Sequence, residues 1–153
     1  MRRVHELVEV YAPQRILLGK EWVTLFEDTQ DFVVAELDGS VVGCGALHVL
    51  WEDLAEIRTL AVDPAVRGQG VGHALVEHLF ASARELGISR LFCLTFETAF
   101  FERHGFHEIH GMPVEPDVYV QLLRSFDDGV AEFLELERVK PNTLGNTRML
   151  REL

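Results

Sequence analysis

The chain has 153 residues, a mass of 17.4 kDa, 48 % hydrophobic and 25 % charged side chains, and a formal net charge of −11. That length and balance suit one folded domain, residues 1–153, and exclude a disordered, collagen-like or disulfide-stapled chain. An isoelectric point near 5.0 argues against non-specific binding to nucleic acid or an anionic membrane, and no apolar run approaches the ~18 residues of a membrane helix.

The N-terminus, Met1-Arg2-Arg3-Val4-His5-Glu6, lacks the apolar stretch of a signal peptide, which points to the cytoplasm. In a reducing compartment Cys44 and Cys93, each in an apolar run, are expected as buried free thiols. The spacing predicts a first helix over His5–Tyr11, ended by Pro13, and a second around Trp22, Leu25, Phe26 and Thr29. Phe32–Leu37 and Val41–Leu50 read as a hairpin about Asp38-Gly39, a pair suited to positive φ angles. A third strand follows at Glu56–Val62, closed by Asp63-Pro64. Val71–Leu86 is the strongest helix, with Val71, Leu75, His78, Leu79 and Leu86 on one face and Gly87 after its end. Next come a strand at Arg90–Thr95, a short helix at Thr98–His104, and extended chain at Phe106–Ile109. A helix at Pro116–Phe126 and a last strand at Ala131–Val139 complete the pattern. Strands in a meander, followed by strand–helix alternation, give an α/β (α+β) fold, a mixed central sheet flanked by helices.

The chemistry concentrates between Thr59 and Leu75. There a strand runs into Arg67-Gly68-Gln69-Gly70-Val71-Gly72, and that loop opens the strongest helix. Glycines allow sharp turns and bring bare N–H groups near a ligand. The helix N-terminus adds partial positive charge, and Arg67 adds a full one, so the segment suits a phosphate group. The spacing is neither the dinucleotide fingerprint G-x-G-x-x-G nor a P-loop, because no Lys-Ser/Thr follows the last glycine.

Arg67-x-x-Gly70-x-Gly72, after Leu60-Ala61-Val62-Asp63-Pro64, resembles the acetyl-CoA motif of the GCN5-related N-acetyltransferases. Phe101-Glu102-Arg103-His104-Gly105-Phe106 resembles that superfamily's second signature. A narrower resemblance, to short single-domain amino-acid N-acetyltransferases of the N-acetylglutamate synthase type, rests on further stretches. They are Ile16-Leu17-Leu18-x-Lys20, Gly43-Cys44-Gly45-Ala46-Leu47, Glu56–Val62, Leu91–Thr95, and Lys140-Pro141-Asn142 with Asn146-Thr147.

The resemblance implies acetyl-CoA as donor, with no metal, and direct N-acetylation of an amino acid, L-glutamate or L-glutamine, in arginine biosynthesis. Leu60, Ala61 and Val62 would flank the pantetheine arm; Arg67, Gly68, Gln69, Gly70, Val71 and Gly72 would hold the pyrophosphate, with Phe101 and Arg103 nearby. Glu56 matches the base proposed in the synthases, and a backbone N–H near Leu60 would serve the oxyanion. Thr95 matches a synthase hydroxyl, able to protonate the thiolate or hold substrate, or else a cap on the following helix. Lys20, Arg58, Thr59 and Thr147 would meet the substrate, although Arg58 can equally pair with Glu56. The tyrosine acid of many acetyltransferases is replaced by Phe101, and an arginine of the synthase tail by Gly145, with Lys140 or Arg148 as substitutes. The chain opens at a helix, so the family's first edge strand is expected to be missing or encoded upstream, leaving an edge that a homodimer partner would cover.

Two alternatives stand beside this reading: acetylation of another amine, such as a peptide N-terminus or a small antibiotic, and a non-catalytic CoA-binding regulatory module. His107-Glu108-Ile109-His110 is not read as a metal site, since residues three apart on a strand face opposite ways. Phe92, Phe96, Phe100, Phe101 and Phe106 are assigned to the core, and Asp127-Asp128 to a solvated turn. The charge is uneven: residues 56–95 carry four basic and four acidic side chains, so the excess acidity lies outside the segment that must meet a pyrophosphate.

Overall fold

The computed structural model describes residues 1–14, 17, 20–139 and 145–153. Helix α1 spans Arg2–Tyr11 and α2 spans Trp22–Glu27. Strands β1 (Phe32–Leu37), β2 (Ser40–Trp51) and β3 (Leu54–Val62) form an antiparallel meander. Then follow α3 (Val71–Glu85), β4 (Arg90–Thr95), α4 (Thr98–Glu102), β5 (His107–Glu108), α5 (Pro116–Leu122), α6 (Asp128–Phe133) and β6 (Thr147–Glu152). The sheet order is β1-β2-β3-β4-β6-β5, antiparallel except where β4 joins β3. No strand precedes α1 among the described residues, and β1 forms one edge.

Alternation along the strands sorts the core into layers. Ala55, Ile57, Leu91 and Cys93 face α3, where Val76, Leu79, Phe80 and Ala83 meet them. Leu54, Phe92 and Leu150 point to the opposite face, against Leu122 of α5 and Val130 and Phe133 of α6. The edge-to-face pair of Phe92 and Phe133, centroids 5.2 Å apart, seats α6 on the sheet. Val4, Leu7 and Tyr11 of α1 and Leu25 of α2 cover Cys44 and Ala61 beside it. Each fully buried Phe or Leu in these clusters contributes about 1.5–3 kcal/mol.

Three expectations are corrected. The stretch expected as a strand at Ala131–Val139 begins as α6, whose Val130, Ala131, Phe133 and Leu134 are buried at helical spacing. The last strand is β6, paired to Arg90–Thr95 on one side and to His107–Glu108 on the other. The buried face of α3 is Leu75, Val76, Leu79, Phe80 and Ala83, whereas His78 is exposed and Leu86 is 62 % exposed, because the buried stripe is centred about 80° round the helix from the predicted one and shares only Leu75 and Leu79 with it. Cys44 and Cys93 are free and buried as expected, and burial pushes the Cys44 thiol up to about 11. No helix among the described residues is long and apolar enough to cross a membrane.

Two irregularities shape the site. Pairing of β3 with β4 is recorded at Leu54↔Arg90, Ala55↔Leu91 and Glu56↔Phe92, and not beyond, although both strands continue. The sheet therefore opens at Glu56. On its other side β3 carries a bulge: Cys44 faces Ala61 and Ala46 faces Arg58, so Thr59 and Leu60 oppose Gly45 alone. Thr59 takes φ 57°, a left-handed conformation costly for a β-branched residue. The extra residue reverses the alternation, sending Leu60 toward α3 and Ala61 toward α1.

Candidate active site

Where β3 and β4 part, a cleft of about 910 Å³ opens. Its walls include Ile57 to Leu60 and Val62 from β3, Leu94 and Thr95 from β4, and the Phe126–Gly129 turn before and into α6. Glu56, Arg58 and Lys20 line it, as do Thr59, Arg67, Gly68, Gly72, Phe101 and Arg103. Most of the expected site residues are thus brought to one opening. Ala61, Gln69, Gly70, Val71 and Thr147 do not line it; Asn146 does. Thr147 sits opposite Thr95 in the β4–β6 ladder.

Glu56 is 4 % exposed and faces α6 rather than α3. Arg58, two residues along the same face, donates to it from Nε at 2.9 Å, with Nη2 at 2.7 Å. The same guanidinium donates from Nη1 and Nη2 to both oxygens of Asp127, at 3.0 and 2.9 Å. Arg58 is therefore shared between two carboxylates. Asp127 also accepts from the Val130 N–H at 2.9 Å and caps α6. The solvated turn expected at Asp127-Asp128 is corrected for Asp127, which the ion pair draws inward.

This arrangement works only because residue 129 is glycine. A Cβ there would stand 2.0 Å from Glu56 Oε2 and 2.5 Å from Arg58 Nη2. The first turn of α6 thus lies directly on the ion pair. Burial pushes the Glu56 carboxyl upward; Arg58 opposes that shift and Asp127 adds to it. Burial works against ionisation of Asp127 too, but the hydrogen bonds and charge of Arg58 outweigh it and hold that carboxyl at about 2. Glu132, on the same helix and also lining the cleft, is driven up to about 8 by burial and by the charge of Glu56. Farther out, His48 Nδ1 lies 2.5 Å from Asp31 and its Nε2 3.7 Å from Asp127. Lys20 stands 3.8 Å from Asp28 at the opposite wall.

At the other end of the cleft lies the glycine loop. Gly68 and Gly70 have φ of 77° and 84°, and a Cβ on either would meet nothing within 4 Å. Gly70 is the N-cap of α3 and supplies no side-chain cap. The first-turn N–H groups are left for a ligand, and an anion suits them. Arg67 stacks over the Tyr11 ring at 5.2 Å, and the Tyr11 hydroxyl donates to the Val62 carbonyl, which fixes the loop's rim to α1. An extended ligand fits here: open space beside the glycines, an uncapped helix, an arginine, and a stretch of β3 that β4 leaves unpaired beyond Glu56.

A family model described as the Acetyltransferase (GNAT) family matches residues 2–111. The chain belongs to the GNAT acetyltransferase family. It is therefore an acetyltransferase with the mixed sheet that the family uses. The amino-acid acetyltransferase of Mycobacterium tuberculosis is 60 % identical over 150 residues, covering 96 % of this chain and 86 % of the relative. The crystal structure of Rv2747 from Mycobacterium tuberculosis, in complex with CoA and NLQ, superposes with a TM-score of 0.95 at 59 % identity, covering 99 % of this chain and 93 % of that one. N-acetylglutamate synthase from Neisseria gonorrhoeae, complexed with coenzyme A and N-acetyl-glutamate, gives 0.79 at 26 % identity, over 100 % of this chain and 32 % of that one.

Within the GNAT frame, several sequence expectations find a place and others change. Thr95 is 8 % exposed and its Oγ1 accepts from the Glu97 N–H at 2.9 Å, a turn bond ahead of α4 rather than the expected cap, since Glu97 is the N-cap and no side chain among the described residues caps the helix. Phe101 is both a cleft wall and a core residue. Of the aromatic run assigned to the core, Phe92, Phe101 and Phe106 are buried, whereas Phe96 is 42 % exposed beside the cleft because β4 ends at Thr95. Arg148 does not face the cleft: it donates to the carbonyls of Gly111 and Phe133 and pairs with Glu135 at 3.1 Å. Lys140, with Ile16, Leu18, Pro141 and Asn142, lies outside the described residues. Sequence reading missed Asp127, Gly129, Glu132 and His48. The first three share one available signal, an Asp N-cap just before apolar residues at positions 130, 133 and 134.

Proposed function

We propose that the protein transfers the acetyl group of acetyl-CoA to the α-amino group of L-glutamate or L-glutamine in the cytoplasm, in arginine biosynthesis. The observation that carries the reading is the buried Glu56, held by Arg58 at the apex of the cleft that joins the glycine loop to the α6 turn. Coenzyme A together with N-acetyl-glutamate in the Neisseria gonorrhoeae synthase, and CoA together with NLQ in Rv2747, support the pairing of donor and acceptor. The pyrophosphate lies on the N–H groups of Arg67 to Gly72, with Arg103 and Phe101 at the groove's side, and the pantetheine arm runs along Leu60–Val62.

Glu56 takes the proton of the substrate ammonium, directly or through water. A carboxyl raised by burial is a better match to that task than an exposed one. The amine nitrogen then attacks the thioester carbon. A β3 N–H near the Thr59–Leu60 bulge stabilises the oxyanion, the C–S bond breaks, and the second proton shed by the nitrogen passes to the thiolate, with the Thr95 hydroxyl as a relay that gives one proton and takes another. Lys20 meets a substrate carboxylate, with Thr59 on the same cleft wall as Glu56; Thr147, which does not line the cleft, acts only from behind Thr95, its partner in the β4–β6 ladder. Arg58, already shared by two carboxylates, acts chiefly by positioning Glu56.

A thiol-release assay with glutamate, glutamine and the other amino acids tests the proposal. Glu56→Gln is expected to lower kcat by about 10²–10⁴-fold, with acetyl-CoA affinity by calorimetry unchanged. Full activity in that variant removes Glu56 as base, and turnover on no amino acid removes the acceptor assignment.

A further inference from the structure

Behind the cleft, α3 carries a group of side chains that acetyl transfer does not use. His73 and Glu77 stand four residues apart on that helix, so both project along one stripe. His104, just beyond α4, meets them: His73 Nδ1 lies 2.9 Å from His104 Nε2. One ligand atom from each of His73, Glu77 and His104 lies within 4.8 Å of the others. His73 and Glu77 are exposed, while His104 is 8 % exposed.

The buried ring is oriented. His104 Nδ1 is 2.8 Å from the Phe100 carbonyl, an acceptor only, so Nδ1 carries the proton and Nε2 of the neutral ring offers its lone pair to the cluster. Metal-binding histidines fix their second nitrogen on a carbonyl in this way. Phe100, with its centroid 4.5 Å away, and Phe80, edge-on at 6.4 Å, hold the ring in place. Arg151 approaches His104 from behind, but donates to its backbone carbonyl rather than its ring. Glu77 supplies the negative charge on the open side.

We propose that His73, Glu77 and His104 bind one Zn²⁺, with a fourth position open to water. Two imidazoles and one carboxylate are a zinc donor set, whereas Ca²⁺ and Mg²⁺ demand mostly oxygen. Zn–N bonds of about 2.0–2.1 Å place two nitrogens roughly 3.3 Å apart in tetrahedral geometry. The two rings need part by only about 0.4 Å, and His73, exposed in the first turn of α3, can move that far. The ion clamps α3 to the corner after α4. Because Phe100 touches His104 and also lines the cleft, the clamp sits one side chain behind the ligand groove.

Zinc calorimetry on the full chain, with Co²⁺ absorption as a second probe, tests the site. One-to-one binding is expected, with a raised Tm when Zn²⁺ is present. His73→Ala and Glu77→Gln should each weaken Zn²⁺ at least about tenfold; Glu77 is exposed, so Glu77→Gln leaves Tm in chelator unchanged, whereas His73→Ala also removes the hydrogen bond to the buried His104 ring and lowers it. His110→Ala, beside Glu108 on another surface, should bind as the parent does. Unaltered affinity in His73→Ala overturns the proposal, as does a loss shared equally by His110→Ala or no stoichiometric binding in the parent.

Discussion

A methyl group at residue 129 would occupy the space of the Glu56 carboxylate, since its Cβ falls 2.0 Å from Oε2. Flexible side chains can yield to such a contact, but Glu56 is enclosed and tied to Arg58, which Asp127 holds in turn. Gly129→Ala should therefore move the base rather than merely crowd it. The expected result is a kcat lowered about 10²-fold, an unchanged acetyl-CoA KM and a lower Tm, measured by steady-state kinetics and thermal melting. A loss confined to Tm would show that Gly129 serves packing alone. The Asp N-cap announces a helix start around Gly129 but not its contact with Glu56, because a close approach to a side chain 73 positions earlier is a tertiary fact.

At the scale of the element, β1 and β4 were legible to the residue, as were the glycine loop and the start of α3. Each has a strong local cause: apolar runs bounded by turn residues, or glycines whose positive φ the backbone requires. The tail was not legible. Strand β6 reads Thr147-Arg148-Met149-Leu150-Arg151-Glu152, too polar to announce a strand, yet it lies between β4 and β5. Its arginines donate to backbone carbonyls of distant residues, Phe133 and Gly111 for Arg148 and His104 for Arg151, while Arg148 Nε is buried without a partner among the described residues. In α6, β-branched and aromatic residues suggested a strand, while packing on Phe92 selects a helix. The loop before α3 makes its own prediction. Gly70 combines φ 84° with open space around it, so Gly70→Val strains the backbone and fills the ligand's place at once. Acetyl-CoA binding by calorimetry should weaken sharply or vanish; an unchanged Kd would remove the loop from the cofactor site.

For the whole molecule, the charge of −11 is distributed around a site that needs it locally. Glu56, Asp127, Glu132 and Asp28 crowd one cleft with Arg58 and Lys20, and the burden falls on Glu132, raised from 4.5 to about 8. A carboxyl raised on folding keeps its proton in the folded state while the unfolded state loses it. Its contribution is thus full below about pH 4.5 and lost as pH rises to about 8. Asp127, lowered to about 2, works in the opposite sense and only below 3.8. Urea unfolding of Glu132→Gln across pH 5–9 should show a flatter slope than the parent and a relative gain in stability at the alkaline end. An identical slope would mean that Glu132 ionises freely in the folded protein.

The break between β3 and β4 also has a mechanical meaning. Three residue pairs, ending at Glu56↔Phe92, fasten the two halves of the sheet, and the strands run on unfastened from there. Such a sheet is a pair of arms with a pivot, and a long ligand pushed between them is a wedge. Opening the arms moves their tips far and their pivot little. Glu56 stands at that pivot, so the carboxylate keeps its aim while the groove widens or narrows around whatever lies in it.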